Sequence, residues 1–182
     1  WFVSNRFRLT FPLFLFTCLI PQSSLMAKSV LFVCLGNICR SPTGEGVLQH
    51  VVDSQGLSDQ IKIDSAGTIG YHHGNSADAR MIEHAARRGY QLLSRSRKIS
   101  AADLQQFDLI IAMDRDNYRD ILAVDSAPSA QIKLLSDFLR DSEHGQFPTD
   151  VPDPYYGGAA GFETVLDMIE AACPAIIEHL QA

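Results

Sequence analysis

A chain of 182 residues, 46% hydrophobic and 20% charged, has the apolar content to bury one sizeable core and leaves no space for a second domain of ordinary size. Its formal charge of −6, with no basic run and no interleaving of basic and aromatic residues, argues against general nucleic-acid binding and against adhesion to anionic membranes. The cysteines, at 18, 34, 39 and 173, do not form a secreted disulfide framework and point to a reducing, cytoplasmic setting.

Residues 1–25 stand apart from the rest. Arg6 and Arg8 precede an apolar run from Phe11 to Ile20, and Pro21, Ser23 and Ser24 follow it, which is the profile of a signal peptide and would imply export. Met26 stands just before Lys28 and the first strand, so translated upstream sequence is the simpler account, with the functional domain at 26–182. The apolar run, at about ten residues, is short of the ~20 that a bilayer requires.

From Ser29 onward, strand and helix patterns alternate as βαβ construction demands. The strands are expected at Ser29–Val33, Gln60–Ile63, Phe107–Met113 and Gln131–Leu135. Helical spacing joins Val47, Leu48, Val51 and Val52, then Met81, Ile82, Ala85 and Gly89. His84 lies on a charge-rich helix and is read as exposed or capping. The acidic stretch Asp114–Asp120 lacks the glycine and terminal glutamate of a calcium loop and reads as a solvated helix start. Asp141–Gln146 reads as a surface loop. Phe162, Val165, Leu166, Ile169, Cys173, Ile176 and Leu180 mark one face of a last helix, which Pro174 is expected to kink and where Cys173 belongs to the core. The pattern predicts a single α/β domain, a four-stranded parallel sheet with helices on both faces, whose ligand sits at the carboxyl ends of the strands.

The chemistry concentrates where the first strand ends. Cys34 and Arg40 bracket a Cys-x5-Arg loop that runs into a helix start, with Ser41 expected as N-cap and Pro42 as first helical residue. Such a loop can aim backbone N–H groups at one point, and the helix dipole adds positive potential. Both favour an anion, and both favour the thiolate form of cysteine, the form that attacks. Gly36 and Asn37 tolerate the left-handed backbone that a tight loop needs. Arg40 can hold two phosphoryl oxygens with its planar fork. Downstream, Asp153 lies between Pro152 and Pro154, whose rings restrict the backbone and hold a carboxyl where it can protonate a leaving group. Taken alone, Asp-Pro-Tyr-Tyr-Gly reads first as an ordinary surface turn, and Cys34 would be an inert core cysteine but for the loop chemistry around it; the pairing carries the functional reading. Cys34 and Cys39 have no second Cys or His pair, and His72 and His73 have no matching partners, so no metal site is expected.

Together, Cys-Leu-Gly-Asn-Ile-Cys-Arg-Ser at 34–41, Asp64 to Thr68 followed by Tyr71, Phe107 to Asp114, and Asp-Pro-Tyr-Tyr-Gly at 153–157 closely resemble the low-molecular-weight protein tyrosine phosphatase family, in its bacterial form. The resemblance runs over nearly everything from Lys28. It implies Cys34 as nucleophile, Arg40 as phosphate clamp, Asp153 as general acid and Ser41 as hydroxyl donor to the thiolate, with no cofactor. Leu35, Gly36, Asn37, Ile38, Cys39 and Ser41 would surround the substrate, Asn37 and Ser65 would brace the loop, and Leu35, Ile38, Tyr71 and Tyr155 would line the cleft for a phosphotyrosine ring. The partners implied are tyrosine-phosphorylated proteins and a tyrosine kinase acting in opposition. One departure stands out. Where many members have His-x-Ala-Arg, this chain reads Ser94-Arg95-Ser96-Arg97, so either the Ser94 hydroxyl or Arg97 has to take over the support that the His provides.

Three other readings share the loop. Thiol-based arsenate reductase needs relay cysteines in a mobile segment, and only Cys173 lies beyond the loop downstream. Protein-arginine phosphatase typically has a threonine where Ile38 stands. A non-enzymatic phosphate-binding module would need neither Cys34 nor Asp153. An activated Cys34 with Cys39 across the same loop is also expected to form a reversible disulfide on oxidation, provided the two Cα atoms approach within ~7 Å.

Overall fold

An apolar run after Lys28 builds the central strand, β1 (Lys28–Cys34), in which every residue from Ser29 onward is buried. Strands covered on both faces read as continuous apolar runs, and this one does. It pairs in parallel with β2 (Ile61–Gly67) on one side and β3 (Leu109–Ala112) on the other, and β3 pairs in parallel with β4 (Gln131–Leu134), giving the order β2-β1-β3-β4. The structure, a computed structural model, describes residues 1, 27–139 and 147–182. Readings made for the N-terminal segment and for Asp141–Gln146 lie outside the described residues.

The strand period of two divides the core. Val30, Phe32 and Cys34 of β1, with Leu109 and Ile111 of β3, join one cluster with α1 (Arg40–Ser54), α2 (Ala79–Arg87) and α5 (Ala159–Gln181). Leu31, Val33, Ile110 and Ala112 face the other way, against Leu104 of α3 (Ala101–Gln106) and Ile121 of α4 (Arg115–Val124). Each fully buried Leu, Ile, Phe or Val contributes about 1.5–3 kcal/mol. In α5 the apolar face from Phe162 through Leu166, Ile169 and Cys173 to Leu180 is buried, and truncating Ile169 to alanine removes about 2–5 kcal/mol.

Several local expectations need correction. Helix α1 begins at Arg40 with Cys39 as its N-cap residue, so Ser41 is not the cap and Pro42 sits third; the Ser41 hydroxyl is engaged by Cys34 and by the Ala66 carbonyl instead. Gly89 is not part of the α2 face: it follows the helix end with φ +87°, the left-handed position that glycine fills at a helix C-terminus. His84 is buried, stacked on Phe162 and 2.5 Å from Glu163 through Nδ1, because α2 packs this face on the start of α5. Pro174, where a kink is expected, lies inside helix α5, which continues to Gln181. Short α3 escaped the periodicity reading, though its capping signal was present: the Asp103 carboxylate accepts from the Ser100 N–H and hydroxyl, each at 2.8 Å.

Candidate active site

The sheet order reverses direction between β1 and β3, the place where open parallel sheets bind ligands. The loop Leu35–Cys39 leaves β1 there and enters α1. At the helix start the N–H groups of Cys39, Arg40 and Ser41 precede the first intrahelical bond, Thr43 N–H to the Cys39 carbonyl at 3.2 Å, and Pro42 has no N–H to satisfy. The loop and helix start therefore offer donors and a positive dipole end to an anion. Asn37 adopts φ +54°, while Gly36 does not enter the left-handed region. Gly36 instead gives close space to a neighbour: a Cβ there would meet the His72 ring at 3.1 Å, so the ring would have to shift by a few tenths of an ångström.

Cys34 ends β1, buried at the floor of the loop. Its Sγ lies 3.1 Å from the Ser41 hydroxyl and accepts from the Asn37 N–H at 3.3 Å. The Asn37 carboxamide donates to the Ser41 and Ser65 hydroxyls, each at 2.9 Å, and its oxygen accepts from the Arg97 N–H at 2.8 Å. Ser65 in turn donates to Glu45 at 2.6 Å. Glu45 is a member that sequence reasoning missed. Burial raises its affinity for a proton, against the opposing hydrogen bonds from the Ser65 and Ser94 hydroxyls.

The place of the missing His is thus divided. Ser96 donates to the Gly36 carbonyl at 3.1 Å, Arg97 contributes its backbone N–H to Asn37, and the Ser94 hydroxyl lies beside Glu45. The Arg97 guanidinium turns away to Asp64 and Asp103. Of the two residues raised by the sequence, Arg97 reaches the loop through its main chain alone, and Ser94 lies beside Glu45 rather than on the loop.

Arg40 is buried and spans the crevice. Its Nη1 donates to Asp114 at 2.5 Å and to the Val151 carbonyl at 3.1 Å, and its Nη2 to Asp153 at 2.9 Å. Burial opposes its charge, but Cys34, Asp153 and Asp114 together hold the proton more firmly than usual. Asp114, which the sequence presented only as a helix start, is therefore also a site residue. The signal for it was its position directly after a parallel strand. Asp153 is two-fifths exposed, and one of its oxygens accepts from the Tyr155 N–H at 3.0 Å.

Above these groups lies a cavity of about 400 Å³. Its lining includes Cys34, Leu35, Gly36, Ile38, Cys39, Arg40, Tyr71, Asp153 and Tyr155, so nearly all residues expected from sequence meet in one place. Asn37 and Ser65 sit beneath it, Tyr156 joins Tyr155 in the wall, and Ile69 and His72 extend it without having been anticipated. Leu35, Tyr71, Tyr155 and Tyr156 are exposed at its rim, a flat apolar and aromatic approach suited to a ring.

A buried thiol on a strand-to-helix loop, an arginine fork and a proline-flanked carboxyl at one cavity define a cysteine-dependent phosphatase site. The sequence matches the profile of the family described as Low molecular weight phosphotyrosine protein phosphatase over residues 29–182, and the chain belongs to that family. It is 48% identical over 153 residues to a putative low molecular weight protein-tyrosine-phosphatase of Synechocystis, spanning 83% of this chain and 95% of the relative. Among solved structures it is similar to a protein tyrosine phosphatase from Entamoeba histolytica, with TM-score 0.79, 43% identity and coverage of 85% of this chain and 97% of that one. It is also similar to the Drosophila arginine phosphatase, with TM-score 0.74, 31% identity and coverage of 84% and 98%.

Proposed function

We propose that this protein hydrolyses phosphotyrosine in proteins in two steps, opposing a tyrosine kinase. The observation that carries the reading is the Arg40 fork reaching the Asp153 carboxylate at 2.9 Å beside a cavity that has the Cys34 thiol at its floor and tyrosines at its rim. Arg40 and the loop N–H groups bind the phosphate dianion, with Ser41 donating to the sulfur as thiolate. The Cys34 sulfur attacks phosphorus as the bond to the phenolic oxygen breaks, and Asp153 gives its proton to that oxygen. A cysteinyl phosphate remains. The Asp153 carboxylate then takes a proton from water as the water oxygen bonds to phosphorus and the sulfur leaves, releasing phosphate and restoring the thiolate.

Leu35, Ile38, Tyr71 and Tyr155 would contact the phosphotyrosine ring. A protein-arginine phosphatase is the second reading, supported by the likeness to the Drosophila enzyme. Against it stands Ile38, an apolar side chain in the cavity lining where a guanidinium would need a polar contact. The thiols of Cys34, Cys39 and Cys173 are free, which suits a reducing compartment, and no helix among the described residues is long and apolar enough to cross a membrane.

The test compares phosphotyrosine and phosphoarginine peptides of one sequence, with Cys34→Ser as control. Phosphotyrosine turnover that vanishes in Cys34→Ser, while vanadate still binds, is the expected result. Preference for phosphoarginine would select the second reading, and undiminished turnover in Cys34→Ser would overturn both.

A further inference from the structure

Two bridges join the phosphate loop to the segment that carries Asp153. The first runs through Arg40, which pairs with Asp153 and also donates to the Val151 carbonyl at 3.1 Å. It cannot persist unchanged through catalysis, because Arg40 must turn its donors to the phosphate and Asp153 must be protonated, hence uncharged, to serve as acid. Upstream of Asp153 the segment stays anchored, by the Val151 N–H on the Met113 carbonyl at 2.9 Å and by Asp150 on Arg115; on the downstream side, at Tyr155, a second bridge is needed.

The second bridge contains none of these groups. The Asp78 N–H donates to the Ile38 carbonyl of the phosphate loop at 2.7 Å. The Asp78 carboxylate takes the Arg80 guanidinium in a two-point contact, Nε at 3.0 Å and Nη2 at 2.8 Å, and caps α2 through the Arg80 N–H at 2.9 Å. The same Nη2 donates to the Tyr155 carbonyl at 3.2 Å, and the guanidinium carbon lies 5.4 Å from the centre of the Tyr155 ring. Phe162 supports it from α5, with its ring centre 5.1 Å away. Tyr155 passes the constraint on, since its N–H donates to the Asp153 carboxyl at 3.0 Å.

We infer that Arg80 is a positioning residue for the reaction: it fixes the Tyr155 wall and, through Tyr155, the Asp153 carboxyl over the nucleophile when the Arg40–Asp153 pair is released. This rests on the reading of Asp153 as general acid. The bridge ends on a backbone carbonyl and an aromatic face, neither of which titrates as Asp153 gains and loses its proton, so it persists in both steps. The planar fork is what allows one side chain to hold a carboxylate, a carbonyl and two rings at once, which an ammonium cannot do. Arg80 is half exposed and belongs to neither core cluster, and its guanidinium only covers the edge of one at Phe162, so the thermal melts are read beside the kinetics.

The experiment measures kcat and KM for aryl phosphates whose leaving phenols span a wide range of acidity, in wild type, Arg80→Ala, Arg80→Lys, Asp153→Asn and the Arg80→Ala/Asp153→Asn pair, with thermal melts to verify folding. Arg80→Ala should lose about tenfold to a hundredfold in kcat/KM, which reports the step in which the phenol departs, on the least acidic phenol, the scale of a misplaced catalytic group, and far less on the most acidic. Its vanadate affinity should hold, Arg80→Lys should recover only part of the loss, and the double variant should be no slower than Asp153→Asn alone. A loss equal across all phenols, full activity in Arg80→Lys, or losses that multiply in the double variant would overturn the assignment of Arg80 while leaving that of Asp153 intact. If Asp153→Asn itself shows no dependence on the leaving group, the general-acid reading fails and this inference with it.

Discussion

Asp114 serves Arg40 and helix α4 with one carboxylate. Oδ2 receives the Arg40 guanidinium at 2.5 Å, and Oδ1 accepts the Asn117 N–H at 2.6 Å as the N-cap of the helix. The two duties separate by mutation. Asp114→Asn keeps a good capping side chain but removes the charge facing Arg40, so kcat/KM should fall by about ten- to a hundredfold, the scale of a misaligned clamp, with little change in melting temperature. Asp114→Ala should lose activity similarly and, in addition, ~1 kcal/mol of stability from the missing cap. Urea titration beside steady-state kinetics distinguishes them, and equal stability of the two variants would refute the capping role.

Asn37 carries a left-handed backbone and three side-chain hydrogen bonds at once. Asn37→Gly relieves the backbone but drops the carboxamide; Asn37→Ala drops the carboxamide and adds roughly 1–2 kcal/mol of strain. Both should lose activity, and the alanine variant should be the less stable by about that amount. Equal unfolding midpoints would mean that the loop relaxes to another conformation.

Glu45 gives a pH signature. Burial, opposed by hydrogen bonds from Ser65 and Ser94, lifts its folded-state proton affinity above that of the unfolded chain. Its contribution is therefore complete below the ordinary glutamate value of about 4.3 and lost as pH rises through the higher folded value. Glu45→Gln, which cannot ionise, should gain on wild type in relative stability across that interval. Unfolding free energies at a series of pH values, fitted for both proteins, decide the matter: parallel curves would show that Glu45 is solvated like any surface acid.

Cys39 bears on oxidation. Burial, and then the nearby charges of Asp78 and Cys34, push its thiol up to about 12, so peroxide should attack Cys34 and leave Cys39 as the slow resolving partner. A sulfenic acid on Cys34 condenses with the Cys39 thiol to a disulfide and water. Reactivation by a thiol reductant should be nearly complete in wild type and incomplete in Cys39→Ser, and the disulfide should form faster as pH rises. Equal recovery of the two proteins, or no internal disulfide by mass analysis, would reduce Cys39 to a packing residue of the loop.

What could be read in advance was whatever one short segment encodes by itself. The strand into Cys34, the spacing to Arg40 and the prolines around Asp153 are local patterns, and the structure brings those residues to one cavity. Ser41 was misassigned as a cap because local propensity favours serine there, whereas a sulfur and a carbonyl from β2 engage its hydroxyl. Asp114, Glu45 and Arg80 were missed for the same reason: each draws its role from partners on other elements, at Arg40, Ser65 and Tyr155. His84 looked exposed because its own helix is charged, and only the packing of α5 buries it.

Gly67 closes β2 directly against the phosphate loop. A Cβ on it would stand 2.8 Å from the Leu35 carbonyl oxygen and 3.1 Å from the Asn37 nitrogen. The Gly67 N–H and carbonyl are themselves bound to Arg97 and Ile99, and the neighbouring Thr68 and Ile69 N–H groups hold the Cys34 and Leu35 carbonyls. Loops ordinarily open on their own, well before the elements they connect. This one is laminated to a strand end, so the Thr68 and Ile69 amide hydrogens that grip its carbonyls should exchange with solvent at the pace of the sheet, and the nucleophile's surroundings should stay assembled until the sheet itself comes apart.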